Sequence, residues 1–339
     1  MPGSSLSHER TVRIRGDGVA AYCCAYLLSQ SGFQIDWQPV DRPRLPVILL
    51  GDQGLALIRD IFNQPKLFAD APRIRKRTVA WGPAAWGNAT TPSALEHSAI
   101  VVSEQILLDA IRPPTTSPSS LDAQWTIVAA KPLPPPALEH CFGTRLASAV
   151  PVKLKENSDS DACWIESLEE GWLFLTPGWL LAVGGTPDKL LGKSRIVSAQ
   201  IADCGLALSQ FPAYPRISAP LCASDWLACG TAALAFDPIC GDGTAHAIRE
   251  AILASAVIRA LADGGPSDEL LAHYEARLTA GFQRHLTLCR QFYASGGTGN
   301  FWRSELEALD RGIQWCHAAL ANRPGFRYQL RGFELEAVR

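Results

Sequence analysis

The sequence has no apolar run approaching the roughly 20 residues that a bilayer span requires, so no membrane helix is expected. It has almost no net charge, −2 over 339 residues, which leaves no electrostatic case for nucleic acid or an anionic membrane as partner. Its ten cysteines, at 23, 24, 141, 163, 204, 222, 229, 240, 289 and 316, form no C-x-x-C pair and meet no histidine at finger-like spacing. Most stand inside apolar runs, where cysteine behaves as a small hydrophobe, so structural thiols are expected and no metal site. Only Cys240 falls in a loop placed to touch a ligand. No internal repeat is visible, and no Glu-x-x-His motif marks a di-iron bundle. The glycine-rich segment 295–302 lacks the Lys-Ser/Thr of a phosphate-binding P-loop and reads as a turn between helices.

What is present is 47% hydrophobic and 19% charged, enough to bury one large core or two closely joined domains. The opening residues are polar, with His8, Glu9 and Arg10 where an apolar leader would stand, so a soluble cytoplasmic protein is expected.

Residues 11–15 alternate as a short strand, 18–30 are rich in Ala, Cys and Leu as in a buried helix, and 33–38 make a second strand. A strand, glycine turn, helix and strand within about 30 residues is the βαβ opening of a nucleotide-binding domain. The turn reads G-x-G-x-x-A at Gly16, Gly18 and Ala21. Its first two glycines let the backbone turn tightly and reach a pyrophosphate, and Ala21 lets the helix approach the sheet. The acidic residue that should end the second strand and bind a ribose is missing. Pro39 stands there, with Asp36 too early and Asp41 slightly late.

After Arg42-Pro43-Arg44, residues 47–50 read as a strand and 54–62 as a helix. The basic run Arg73-Ile74-Arg75-Lys76-Arg77 continues into Thr78-Val79-Ala80, with Trp86 close by, and is mixed enough in character to be a strand. Arg75, Arg77 and Val79 would then face one side, and Lys76, Thr78 and Ala80 the other. A strand at 100–103 enters a helix at 104–112, and 113–120 is a Pro/Thr/Ser loop. After a strand at 125–130, strands are expected between about 140 and 220. Within them, 163–177 reads as a hairpin in which Trp164 is core, while Trp172 and Phe174 share a face that suits either core or the wall of a pocket. From 267 onward the chain is helical, with His273 and His285 as packing residues.

The most informative stretch is Phe236-Asp237-Pro238-Ile239-Cys240-Gly241-Asp242-Gly243-Thr244, followed by an apolar helical run over 245–261. Two glycines and a threonine opening a buried helix present backbone N–H groups and a positive helix end to an anion or an electron-rich ring. Together with Gly16 and Gly18 it suggests one flavin held between two ends of the chain.

The order of these pieces resembles the FAD-dependent monooxygenases of the aromatic-hydroxylase type. Within them it is most similar to the branch holding the flavin-dependent tryptophan halogenases and the LodB-like flavoproteins, which modify a tryptophan in quinone-bearing oxidases and amine dehydrogenases. The most specific match is Leu227-Ala228-Cys229-Gly230-Thr231-Ala232-Ala233 through Asp237-Pro238 to Gly241 and Gly243, with Thr231 where the family usually has aspartate.

The resemblance implies an α/β fold: a discontinuous Rossmann-like FAD-binding domain over 1–130 and 220–265, an inserted, mostly antiparallel sheet domain for substrate over 131–219 with part of 65–100, and C-terminal helices over 266–339. It implies FAD contacts at Gly16, Gly18, Ala21, Arg44, Gly230, Asp237, Pro238, Gly241, Gly243 and Thr244. It further implies an electron-rich aromatic substrate, free or as a tryptophan of a partner protein, and electrons from NAD(P)H or a separate flavin reductase.

Two halogenase marks map onto this chain. The W-x-W-x-I-P motif falls on Trp172, Phe174, Thr176 and Pro177, keeping the first tryptophan and the proline, and the nearest match to the catalytic lysine is Lys76. The favoured reading is oxygenation by a flavin C4a-peroxide in a dry pocket, with Lys76, Trp172 and His97 as catalytic candidates. His97, Glu104 and Lys76 are the candidate bases. The alternatives are halogenation and a non-catalytic flavin-fold maturation protein, the latter raised by Pro39 and Thr231.

Overall fold

In the computed structural model, which describes residues 10–83, 92–112, 122–321, 323 and 326–338, the first strand is β1 (Thr11–Arg15). It is followed by α1 (Val19–Gln30) and β2 (Gln34–Gln38). Trp86 and the loop 113–120 lie outside the described residues. β1 and β2 pair in parallel from Thr11↔Gln34 to Arg15↔Gln38, as a βαβ crossover requires. α1 has no polar stripe: Val19, Ala20, Ala21, Cys23, Cys24, Ala25, Leu27 and Leu28 are all buried. Small residues let a helix be covered on every side without holding its neighbours away.

Next come β3 (Ile48–Gly51), α2 (Asp52–Ile61), β4 (Arg73–Ala80), β5 (Ser93–Val102), α3 (Glu104–Ala110) and β6 (Trp125–Val128). Ser103 caps α3 by accepting from the Ile106 N–H at 3.1 Å. The middle of the chain is strand-rich, as its alternating pattern predicts: β7 (Leu138–Cys141), β8 (Leu146–Leu154), β9 (Ala162–Leu168), β10 (Gly171–Thr176) and β11 (Trp179–Val183). The short helix α4 (Pro187–Lys193) leads to β12 (Ile201–Cys204), β13 (Ser209–Pro212), β14 (Arg216–Ala219), β15 (Trp226–Ala228) and β16 (Leu234–Ala235). Three helices follow, α5 (Gly243–Ala262), α6 (Ser267–Gly296) and α7 (Asn300–Ala321), and a hairpin of β17 (Tyr328–Arg331) and β18 (Glu334–Ala337) ends the described chain.

Two sheets organise the molecule. A parallel sheet in the order β15-β6-β1-β2 forms the Rossmann-like half, with α1 packed between it and α5. A nine-stranded sheet runs β12-β8-β11-β10-β9-β4-β5-β3, with β13 added on β8. It is antiparallel except where β4 meets β9 in parallel, from Lys76↔Ala162 to Ala80↔Glu166. The expected hairpin is β9–β10, turning at Glu169-Glu170. Gly171 at its end has φ +155°, and a Cβ there would lie 2.0 Å from the Val183 carbonyl oxygen, so only glycine fits.

α6 packs on α7 and on α5, and His273 and His285 are buried as expected. All ten cysteines are free thiols. No helix among the described residues is long and apolar enough to cross a membrane.

Candidate active site

The loop from Phe236 to Gly243 is built from below. The Asp237 carboxylate accepts from the Ile239 N–H at 2.8 Å and caps the turn Pro238–Cys240. Asp237 is 1% exposed and paired with Arg145 at 2.6 and 2.8 Å. Arg145 also pairs with Glu305, which accepts from the Thr144 N–H at 3.0 Å. The guanidinium lies 4.6 Å from the Tyr293 ring centroid, and the Tyr293 hydroxyl accepts from Trp172 Nε1 at 3.1 Å.

Burial works against the Arg145 charge, but Tyr293, Asp237 and Glu305 outweigh it and raise its pKa above the usual value. Its ionic lock, with two carboxylates around one cation, fixes the loop at its root. The side chain of Asp237 faces inward onto Arg145, and Trp172, expected as either core or the wall of a pocket, is fully buried.

Above this root the loop opens outward. Gly241 has φ +67°, and a Cβ there would face Leu49 Cδ2 at 3.6 Å and Arg77 Nη2 at 3.9 Å. A Cβ on Gly243 would meet nothing within 4 Å. Gly243 starts α5, whose N-terminus has no side-chain cap, and Thr244 follows half-buried. The first N–H groups of this 20-residue helix therefore have no side-chain cap, and the cation of Arg77 lies close by at Gly241.

Arg77 Nη2 lies 3.1 Å from His97 Nε2. Burial first, then Arg77, lowers the His97 pKa, with Asp52 partly opposing, so the ring is neutral at pH 7 and Arg77 donates to it. That pairing commits the Nε2 lone pair, which makes His97 a holder of Arg77 more than a free base. Lys76 is exposed and, by strand alternation, faces away from Arg77. Glu104 is buried and bound by both Arg42 and the Leu45 N–H, the latter at 2.9 Å, so it too is spent on structure.

At the other end of the chain, Gly16 has φ +134° and donates its N–H to the Gln38 carbonyl at 2.8 Å. A Cβ on it would press to 3.1 Å on Ala129. Gly18 is the uncapped N-cap of α1, and Ala21 is fully buried against the sheet. Arg44 holds the Asp17 carboxylate at 2.6 Å and its carbonyl at 2.9 Å, while Arg42 Nε stands 3.5 Å from the same carboxylate. Two arginines thus flank the helix start, balanced by Asp17 and Glu104. Asp36 does not take over from Pro39, because it is buried in an ion pair with Arg13 at 2.6 Å.

Gly230 has φ +58°, donates to Glu250 Oε2 at 2.8 Å, and would push a Cβ to 2.8 Å from that of Ala20. It serves the close approach of α1 to the turn that precedes β16. The sequence reading missed Arg145, Glu305 and Tyr293. The one local signal is Arg145 itself, a lone cation at the head of the apolar run 146–152.

No family model and no curated protein matches the sequence. Its fold does match solved structures. CmlS, a flavin-dependent halogenase, aligns over 93% of this chain and 72% of its own with a TM-score of 0.72 and 16% identity. The peptidyl tryptophan dihydroxylase QhpG, essential for tryptophylquinone cofactor biogenesis, aligns over 97% and 86% with a TM-score of 0.67 and 18% identity. Klebsiella pneumoniae HpxO, complexed with FAD and uric acid, aligns over 93% of this chain and 97% of its own with a TM-score of 0.62 and 13% identity. The chain therefore has the fold shared by FAD-dependent halogenases and monooxygenases.

Proposed function

We propose that this protein is an FAD-dependent oxidoreductase, and specifically a monooxygenase acting on a tryptophan or another electron-rich aromatic group, free or carried by a partner protein. The observation that carries the reading is the open, uncapped start of α5 at Gly243, two residues after Gly241, beside which Arg77 lies. FAD fits the residues present at both ends. Gly16, Gly18, the uncapped start of α1 and the cations of Arg42 and Arg44 suit a diphosphate, and the N–H groups at Gly243 and Thr244 suit the electron-rich edge of a flavin ring.

Bound FAD, once reduced by NAD(P)H or a separate reductase, supplies the activation of oxygen. The chain's own part is to bind, orient and keep water out. The ionic lock at Arg145 sets the height of the Asp237–Gly243 loop, and His97 holds Arg77 toward it. Oxygenation is favoured over halogenation because Lys76, the nearest match to a halogenase lysine, is exposed and turned from Arg77.

The test is Gly243→Val. Gly243 has no positive φ and no neighbour within 4 Å of an added Cβ, so the variant should fold and melt as the parent does while filling the space for the flavin. After incubation with FAD and desalting, the parent should show flavin absorption and the variant at most a tenth as much. A parent that takes up no FAD refutes the reading. Product mass with and without chloride or bromide then separates the two chemistries, since a halide-dependent gain would contradict oxygenation.

A further inference from the structure

Beside the Arg145 lock lies a group of side chains that the proposed function does not use. Cys240, on the loop, and Cys289, on α6, place their Sγ atoms 4.0 Å apart. His285, one helical turn before Cys289, has Nε2 3.2 Å from the Cys289 sulfur. Nε2 also accepts the Asp237 N–H at 2.9 Å, so in the neutral ring the proton is on Nδ1 and the Nε2 lone pair points to this corner. Cys289 is fully buried, whereas Cys240 is half-buried in the Phe236–Gly243 loop, next to Gly241.

The thiols differ in character. Burial pushes those of Cys23, Cys163, Cys222 and Cys316 up. Cys240 goes the other way, lowered to about 6 by the Cys289 hydrogen bond, against burial and with help from His285. Most of it is thiolate at neutral pH, and the thiolate is the reactive form. The same sulfurs and imidazole lie close enough to hold a metal ion, but the engagement of Nε2 with the Asp237 N–H favours thiol chemistry over ligation.

We propose that Cys240 and Cys289 are a peroxide-reactive dithiol, with Cys240 attacking and Cys289 resolving, whose disulfide ties the cleft loop to α6. The Cys240 thiolate attacks one oxygen of hydrogen peroxide; an S–O bond forms, the O–O bond breaks, and the departing hydroxide leaves as water with a proton from solvent. Cys289 then gives its proton to His285 Nε2, which releases the Asp237 N–H, and its sulfur attacks that of Cys240. The S–S bond forms, the S–O bond breaks, and hydroxide leaves as water with the proton returned by His285. Two thiols are oxidised and one peroxide is reduced to two waters. Closing 4.0 Å to a bond of about 2.05 Å moves the half-buried Cys240 and its glycine neighbour, not the buried Cys289. The inference stands whether or not the cleft holds a flavin.

The reduced full-length protein, treated with a few equivalents of hydrogen peroxide, alkylated and digested with trypsin, should yield residues 285–290 cross-linked to residues 217–249. The intact mass should fall by about 2 Da from the loss of two hydrogens. Because the second peptide also carries Cys222 and Cys229, Cys240→Ser fixes the assignment: it should abolish the link, and as a change on a loop it should fold. In Cys289→Ser, peroxide should leave a sulfenic acid at Cys240 that dimedone traps. The proposal is overturned if the parent forms no such link, if the exposed Cys141 oxidises as fast as Cys240, or if the purified protein carries one zinc ion whose removal is needed before Cys240 reacts.

Discussion

Arg145 is wholly buried, yet the Phe236–Gly243 loop is rooted on it through Asp237. It is fully buried between Asp237 and Glu305, and removing it would leave two carboxylates buried without a counter-charge. Breaking a buried ion pair from one side costs about 3–5 kcal/mol. Arg145→Met should therefore lose at least that much in chemical denaturation, and replacing the two acids by amides in the same chain should restore part of the loss. Equal stability of Arg145→Met and the parent would contradict the lock. Its parts were illegible in the sequence because Arg145 and Glu305 are 160 residues apart and no local pattern joins them. Gly16, Gly230 and Gly241 were legible, because a glycine turn announces a backbone requirement within a few residues.

At the scale of elements, α5 is held to the rest of the Rossmann-like half by Glu250, buried and accepting the Gly230 N–H. Burial raises the Glu250 pKa well above its ordinary 4.5, the Gly230 N–H opposes this, and Cys24 adds to it. The sign follows from proton uptake: the folded state holds the proton more tightly than the unfolded chain. This contribution is fully present below the unfolded value and is lost as pH rises toward the folded one. Glu250→Gln cannot titrate, so its melting temperature should fall less than the parent's between pH 5 and pH 9; parallel curves would contradict the assignment.

The same scale shows where periodicity fails. β10 is buried on both faces apart from Phe174, so its alternation carried no information on which face met a ligand, and Trp172 belonged to the core. In β4 the opposition of Lys76 and Arg77 was readable because neighbouring residues of a strand point to opposite faces.

For the whole molecule, the order of strands and helices was legible from spacing, and the parallel sheet followed from the βαβ unit. The nine-stranded sheet was not, because pairing β4 with β9 joins segments more than 80 residues apart, and nothing local encodes it. If FAD binds the folded chain alone, ligand at a hundred times Kd should stabilise the whole molecule by about 2.7 kcal/mol. A thermal melt would read this as a rise of several degrees, absent in Gly243→Val. No rise in the parent would count against binding to the native state.

The parallel pairing of β4 with β9 has a mechanical consequence. Five successive residue pairs, from Lys76↔Ala162 to Ala80↔Glu166, knit the strands beside the cleft to the mid-chain sheet. To swing one part from the other, all of those backbone bonds would have to break together. Where a jawed enzyme has a hinge this chain has a seam, so the two strand groups move as one bed.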